Sequence, residues 1–207
     1  MKKLLMIVFL IMAFSITVAP SVMANTLYLN GVNGQIDLTG RVYIDPYLGG
    51  LDNPKALDNI FCVDPMHESY QNTHWTVNET VLDTNTSLAK TYLGDSGRVQ
   101  YEEMAYLIIS NTDYWGKQAY LAQNQAIQAA IWYIASPISN NGYGQSNDWV
   151  TFAAAHYQGG DYSNVLILTD VDGRNQEFIK LVPEPATMLL LGLGLLGIAG
   201  IRRKFRS

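Results

Sequence analysis

The chain has 207 residues, with 13 Lys and Arg against 18 Asp and Glu, and a formal net charge of −5. This acidic balance argues against nucleic acid or anionic lipid as a partner. A single cysteine excludes a disulfide framework within the chain.

The first 24 residues have the three parts of a secretory signal peptide. Two lysines precede an apolar run from residue 4 to about residue 18, and Val22 and Ala24 occupy the −3 and −1 positions of a cleavage site. An uncleaved N-terminal anchor is the alternative, and the small residues at this site argue against it. We therefore expect an exported protein whose mature chain begins at Asn25.

The segment that follows the signal peptide predicts strands. TLYLNGV, RVYIDPY, IFCVD and HWTVNETVL are short runs with β-branched and aromatic residues, and Gly, Asn, Asp and Pro lie around them. The intervening segment YLGGLDNPKALDN, at residues 47–59, is rich in turn-forming residues and predicts a loop.

The hydrophobic spacing then changes from strand-like to helical. Residues 98–110 place apolar side chains at helical spacing, and a second helix is expected over about residues 116–135, ending before Pro137. The run WVTFAAAHY predicts a third helix, with Asn147 and Asp148 as N-cap candidates.

The body of the chain closes with the features of a β-hairpin. NVLILT and QEFIKLV lie on either side of the polar turn DVDGRN, which does not have the glycine position of a calcium loop. Strands that enclose a block of helices predict an α+β fold, with a β-sheet or sandwich framework and an inserted helical block. Residues 25–182 form one predicted domain, which contains seven basic and 17 acidic residues.

The last 25 residues have a three-part organisation of their own. Pro183, Glu184 and Pro185 precede an uncharged apolar stretch at residues 186–201, which is at the short limit for a transmembrane helix. Four cations follow this stretch: Arg202, Arg203, Lys204 and Arg206. Such a cluster stays on the cytoplasmic side, so we expect everything before the span to lie outside that membrane.

These three parts, at residues 183–207, resemble a PEP-CTERM sorting signal. The resemblance implies that a membrane-embedded exosortase, as a processing protease, recognises the Pro-Glu-Pro region and cleaves near it. It also implies a precursor anchored in the inner membrane, which then reaches the cell surface or the extracellular matrix. Proteins of this kind are typical of Gram-negative bacteria that make exopolysaccharide.

Cys62 is the single cysteine, and the residues alone leave four interpretations of it open. It can be a small buried hydrophobe, or a nucleophile whose base is His67, His74 or His156, among which spacing does not choose. It can be a metal ligand with Asp64, His67 and His74, although this spacing is not a known zinc pattern. It can also condense with a glutamine carboxamide to form an internal thioester.

Three segments resemble motifs of bacterial surface thioester domains of the adhesin type. FCVDP resembles the aromatic-Cys-hydrophobic motif around the thiol. IQAAIW, at residues 127–132, resembles a Thr-Gln-x-Ala-Ile/Val-Trp helix motif, with Ile127 in place of the threonine. NQEFI, at residues 175–179, resembles the C-terminal glutamine motif, with Glu177 in place of an apolar residue.

The resemblance implies a thioester cross-link between Cys62 and Gln176, with Gln128 and Trp132 as supporting residues. Glu177 is expected to face away from Gln176, because neighbouring residues of a strand point to opposite sides. The implied chemistry is single-use capture of a surface-protein amine or a polysaccharide hydroxyl, without turnover, cofactor or metal. The first alternative is a noncovalent matrix protein associated with exopolysaccharide, and the second is an exported cysteine hydrolase.

Overall fold

The computed structural model describes residues 25–32, 47–55, 58–115, 117–136 and 146–182. The predicted signal peptide, residues 1–24, and the predicted sorting tail with its transmembrane helix, residues 183–207, lie outside the described residues. Within the part of the chain that is described, no helix is both long and apolar enough to cross a bilayer.

The described residues form six strands and three α-helices. The strands are β1 (Asn25–Val32), β2 (Tyr47–Leu51), β3 (Asp58–Cys62), β4 (Thr73–Val81), β5 (Val165–Asp170) and β6 (Phe178–Leu181). The helices are α1 (Arg98–Ser110), α2 (Leu121–Ala135) and α3 (Ser146–His156). All three helices lie between β4 and β5 in the chain, so the α+β class with an inserted helical block is confirmed.

The sheet is a closed antiparallel barrel rather than an open sheet or a sandwich. Its strand order is β1-β2-β3-β6-β5-β4, and β4 pairs back with β1. The terminal hairpin of β5 and β6 fits between β3 and β4, and this insertion closes the barrel. Closure gives every described strand a neighbour on both sides, which removes exposed sheet edges.

The segment predicted as a loop before β3 contains a strand instead. β2 begins at Tyr47 and includes Gly49, which pairs with Asp58 of β3 and Leu29 of β1. A Cβ atom at Gly49 would lie 2.7 Å from Cδ1 of Ile60 and 2.8 Å from a main-chain oxygen of β1. The glycine therefore serves a close approach between strands, whereas in the sequence it indicated a turn. Residues 41–46, which were predicted as a strand, lie outside the described residues.

The three described helices correspond to the three that the sequence predicted, and they differ from the prediction at two boundaries. Helix α1 has the predicted bounds, but α2 begins at Leu121, after a 3-10 turn over Gln118–Tyr120. Helix α3 begins at Ser146, so Asn147 and Asp148 lie inside its first turn rather than at the N-cap. An acidic side chain in the first turn still has a favourable interaction with the helix dipole.

Two apolar clusters lie on the two faces of the barrel wall. The strand alternation sends Ile60 and Cys62 inward, whereas Phe61 and Val63 pack toward the helices. The interior cluster consists of Leu27, Leu29, Tyr47, Ile60, Cys62, Trp75, Val77, Trp132, Leu166, Leu168 and Phe178. Trp132 is the helical member of this cluster, so α2 contributes a side chain to the barrel interior next to the cysteine.

Candidate functional site

The end of β3 and the start of β6 place Cys62 and Gln176 side by side. Cys62 pairs with Phe178, and the Val63 N–H donates to the Glu177 carbonyl at 2.9 Å, which continues the pairing beyond the strand ends. Gln176 lies two residues before Phe178 and therefore on the same face of the wall as Cys62. The two residues are diagonal neighbours across an antiparallel pair, close enough for side chains to interact.

Both side chains meet at one main-chain carbonyl, that of Asp64. The Cys62 thiol donates to this oxygen at 3.3 Å, and Gln176 Nε2 donates to it at 3.3 Å as well. Cys62 is fully buried and Gln176 is 7% exposed. The structure thus brings the thiol and the carboxamide together in a site with very little access to water.

Tyr47 is a further member of this site that sequence reasoning missed. It is buried in the interior cluster, and its hydroxyl forms a hydrogen bond with the Gln176 side chain. Burial raises the pKa of Tyr47, and the nearby Cys62 raises it further. The hydroxyl therefore stays neutral over the physiological range and binds the carboxamide of Gln176.

The thiol of Cys62 is protonated in this environment. The pKa of the thiol is raised to about 12: burial is the largest cause, a hydrogen bond from Trp132 lowers the pKa, and the negative charge of Asp64 raises it. Cysteine nucleophiles of hydrolases instead have lowered pKa values and a base beside them. The raised pKa of Cys62 differs from this pattern.

The three histidines have other neighbours. His67 Nδ1 lies 2.5 Å from a carboxylate oxygen of Asp64, His74 stacks on Tyr28, and His156 bonds the carbonyl of Phe152 within α3. The described residues contain no group of three His, Cys, Asp or Glu side chains that could hold a metal ion.

Helix α2 supports the site through the two residues that its motif supplied. Gln128 is 1% exposed, and its Nε2 donates to the Cys62 carbonyl at 2.6 Å. Its Oε1 atom is buried and has no hydrogen-bond partner among the described residues. Trp132 lies about one turn later and contacts the thiol directly. Gln128 therefore fixes the main chain of the cysteine, and Trp132 covers its sulfur.

Glu177 faces the helices, on the opposite side of the wall from Gln176, as expected. Its carboxyl group is 2% exposed and accepts hydrogen bonds from the Tyr101 hydroxyl at 2.5 Å, the Thr169 hydroxyl at 2.5 Å and the Tyr92 N–H at 2.8 Å. Burial raises the pKa of Glu177, against the effect of these donors. The residue joins the start of β6 to α1 and to the segment before it.

Replacement of Glu177 by leucine is expected to destabilise the domain by about 3 kcal/mol or more, because each buried donor left without an acceptor costs about 1–3 kcal/mol. Thermal or denaturant unfolding measures the loss. Glu68 is exposed and accepts one tyrosine hydroxyl, so Glu68→Leu serves as the matched control, with an expected change within about 0.5 kcal/mol. Equal stability of the two variants would contradict the role of the Glu177 network.

The remaining contacts of the site come from main-chain atoms and a loop serine. The Gln176 N–H donates to Ser69 Oγ at 3.0 Å, in addition to the side-chain contact with the Asp64 carbonyl. Neither contact has a signature in the sequence, because a carbonyl oxygen exists at every position and a single serine carries little information. Tyr47 and Tyr101 were missed as well, because a single tyrosine likewise carries little information in a sequence.

Comparisons with known proteins identify the C-terminal tail. Residues 181–204 match the model of the PEP-CTERM protein-sorting motif. A search of curated proteins gives no match. Among solved structures, the N-terminal domain of the Streptococcus pyogenes pilus tip adhesin Cpa is similar, at 12% identity and a TM-score of 0.43, over 80% of this chain and 97% of that one.

The sorting motif indicates where the protein is located in the cell. The match confirms that a PEP-CTERM sorting motif lies where the sequence predicted one, over residues 181–204. A PEP-CTERM motif implies export, passage through the membrane and processing by an exosortase. This chain therefore carries the signal of an exported protein that an exosortase sorts to the cell surface.

Proposed function

We propose that this protein captures a surface partner covalently, through an internal thioester between Cys62 and Gln176. The observation that carries the proposal is the shared acceptor: the thiol and the carboxamide nitrogen both donate to the Asp64 carbonyl at 3.3 Å. The exported location agrees with such a role, because a chain at the cell surface meets amines and hydroxyls of other surfaces.

The bond changes balance without a cofactor. Cys62 Sγ attacks Cδ of Gln176, the carbon–sulfur bond forms, the carbon–nitrogen bond breaks, and the thiol proton leaves with Nε2 as ammonia. A partner amine or hydroxyl later attacks the same carbon, which breaks the carbon–sulfur bond and returns a proton to the sulfur. Each molecule can react once, so the protein is a single-use adhesin and not an enzyme.

Burial of the pair supports the persistence of a reactive bond until a partner arrives. Tyr47 and Trp132 pack in the interior cluster beside the thiol, and each is 8% exposed. A site that excludes water limits hydrolysis of an acyl intermediate. The raised pKa of Cys62 has the same effect, since a thiolate of high pKa is a poor leaving group.

The test is the intact mass of the mature protein. We expect the mature wild type to weigh one ammonia less than its sequence requires, with the Cys62→Ala variant, corrected for its substitution, as the reference for chain ends. Because Cys62 is buried in any case, alkylation is best tried on rapidly unfolded protein, in which a thioester still blocks the thiol. Full mass and a freely alkylated thiol would favour the noncovalent matrix protein instead.

A further inference from the structure

The loop between β3 and β4, at residues 63–72, contacts Gln176 at two points. The Asp64 carbonyl accepts the hydrogen bond from the carboxamide nitrogen, and Ser69 Oγ accepts the main-chain N–H. The same Asp64 carbonyl accepts the thiol of Cys62. The position of this one peptide group therefore helps to determine how the sulfur and the carboxamide face each other.

The Asp64 side chain helps to hold that peptide group through two contacts within the same loop. It is 2% exposed; one carboxylate oxygen accepts the Met66 N–H at 2.8 Å, and the other lies 2.5 Å from His67 Nδ1. His67 itself is half-exposed, and its ring meets Tyr92 edge to face at 6.4 Å. The histidine is the side-chain donor that the structure gives to this buried carboxylate.

We propose that His67 is a positioning residue for the condensation of Cys62 with Gln176, acting through Asp64. This inference rests on the proposed thioester. His67 touches neither reacting group. Its hydrogen bond keeps the Asp64 side chain, and with it the carbonyl that aligns the two reactants, in one orientation.

Alignment matters here because neither reactant is activated. The thiol is protonated, and a carboxamide is a poor acyl donor, so the rate depends on how well the sulfur is held against the carbon. Misplacement of reacting groups by about 1 Å can cost about 10²-fold in rate. If the hydrogen bond between His67 and Asp64 were lost, the loop would keep its other contacts, but the Asp64 carbonyl would become more mobile.

The test compares His67→Ala with His67→Asn in pulse-labelled full-length chain, followed by intact mass over time. The asparagine amide nitrogen takes the place of Nδ1 and retains a donor for Asp64. We expect the alanine variant to lose ammonia about 10- to 100-fold more slowly than wild type. The asparagine variant should recover most of the rate, and the unfolding temperature of each variant shows whether the chain is folded in the assay.

The possible results separate the two proposals. A wild type that never loses ammonia overturns the thioester and this inference with it. A wild type that loses ammonia at the same rate as His67→Ala overturns the role of His67 alone. An asparagine variant no faster than the alanine variant also contradicts positioning through the hydrogen bond, and would leave His67 as a packing residue beside Tyr92.

Discussion

Methylamine added to the mature protein is expected to attach to Gln176 and to release one thiol per molecule. The acyl carbon of a thioester reacts with small amines, whereas an ordinary glutamine carboxamide does not. Trypsin cleaves after Arg174 and Lys180, and Gln176 is the single glutamine between these sites, so mass spectrometry of this peptide localises the product. We expect methylamine to be attached to Gln176 in every wild-type molecule.

Three variants and one control make this expectation specific. Cys62→Ala and Gln176→Ala should each abolish the addition, because either change removes one half of the bond. Gln128→Ala should still permit the addition at Gln176, although more slowly, and should lower stability by about 1–3 kcal/mol, since the buried Cys62 carbonyl loses its donor. Exposed Gln158→Ala should change neither property. Addition that survives Gln176→Ala but disappears in Gln128→Ala would mean that the other glutamine is the acyl donor.

The second large effect concerns the tail. The tail has four cations, Arg202, Arg203, Lys204 and Arg206. Their conversion to glutamine is expected to abolish retention of the chain at the membrane and its cleavage by the exosortase. Positive charges after an apolar span hold that end on the cytoplasmic side. The mature wild-type protein should begin at Asn25 and lack residues 202–207, which N- and C-terminal peptides detect directly.

A matched control separates this effect from a general loss of charge. The domain carries four exposed cations that can be converted to glutamine in the same way: Lys55, Lys90, Lys117 and Arg174. That variant should be sorted normally. Normal sorting of the tail variant, or recovery of the C-terminal peptides from surface-displayed protein, would show that the cations do not act as a stop signal.

Local sequence patterns predicted the elements better than their assembly. Helix α1 has the predicted bounds, and Met104, Leu107 and Ile108 are buried as its apolar spacing predicted, whereas Val99 is 46% exposed and Tyr101 is buried instead. Strand β2 was missed because Gly49 and Gly50 favour a turn in isolation, while the pairing of β2 with two neighbours overrides that preference. Barrel closure depends on the hairpin fitting between β3 and β4, a long-range property that no short pattern encodes.

In the candidate site, the sequence likewise predicted some groups and missed others. Motif resemblance singled out Cys62, Gln176, Gln128 and Trp132, and the structure places all four around one end of the barrel interior. The groups that orient them could not be predicted, because the most important one is the main-chain oxygen of Asp64. Its role depends on the course of a loop and not on the type of residue at that position.

The place of Gln176 in the chain has a mechanical consequence. It lies just before β6, the last described strand, and the sorting motif begins at Leu181. In a molecule held at its C-terminal side and bonded to a partner at Gln176, a pulling force would pass through only a few peptide units. The remaining strands and all three helices would lie outside the line of tension, so the attachment would be as strong as its covalent bonds even if the domain unfolded.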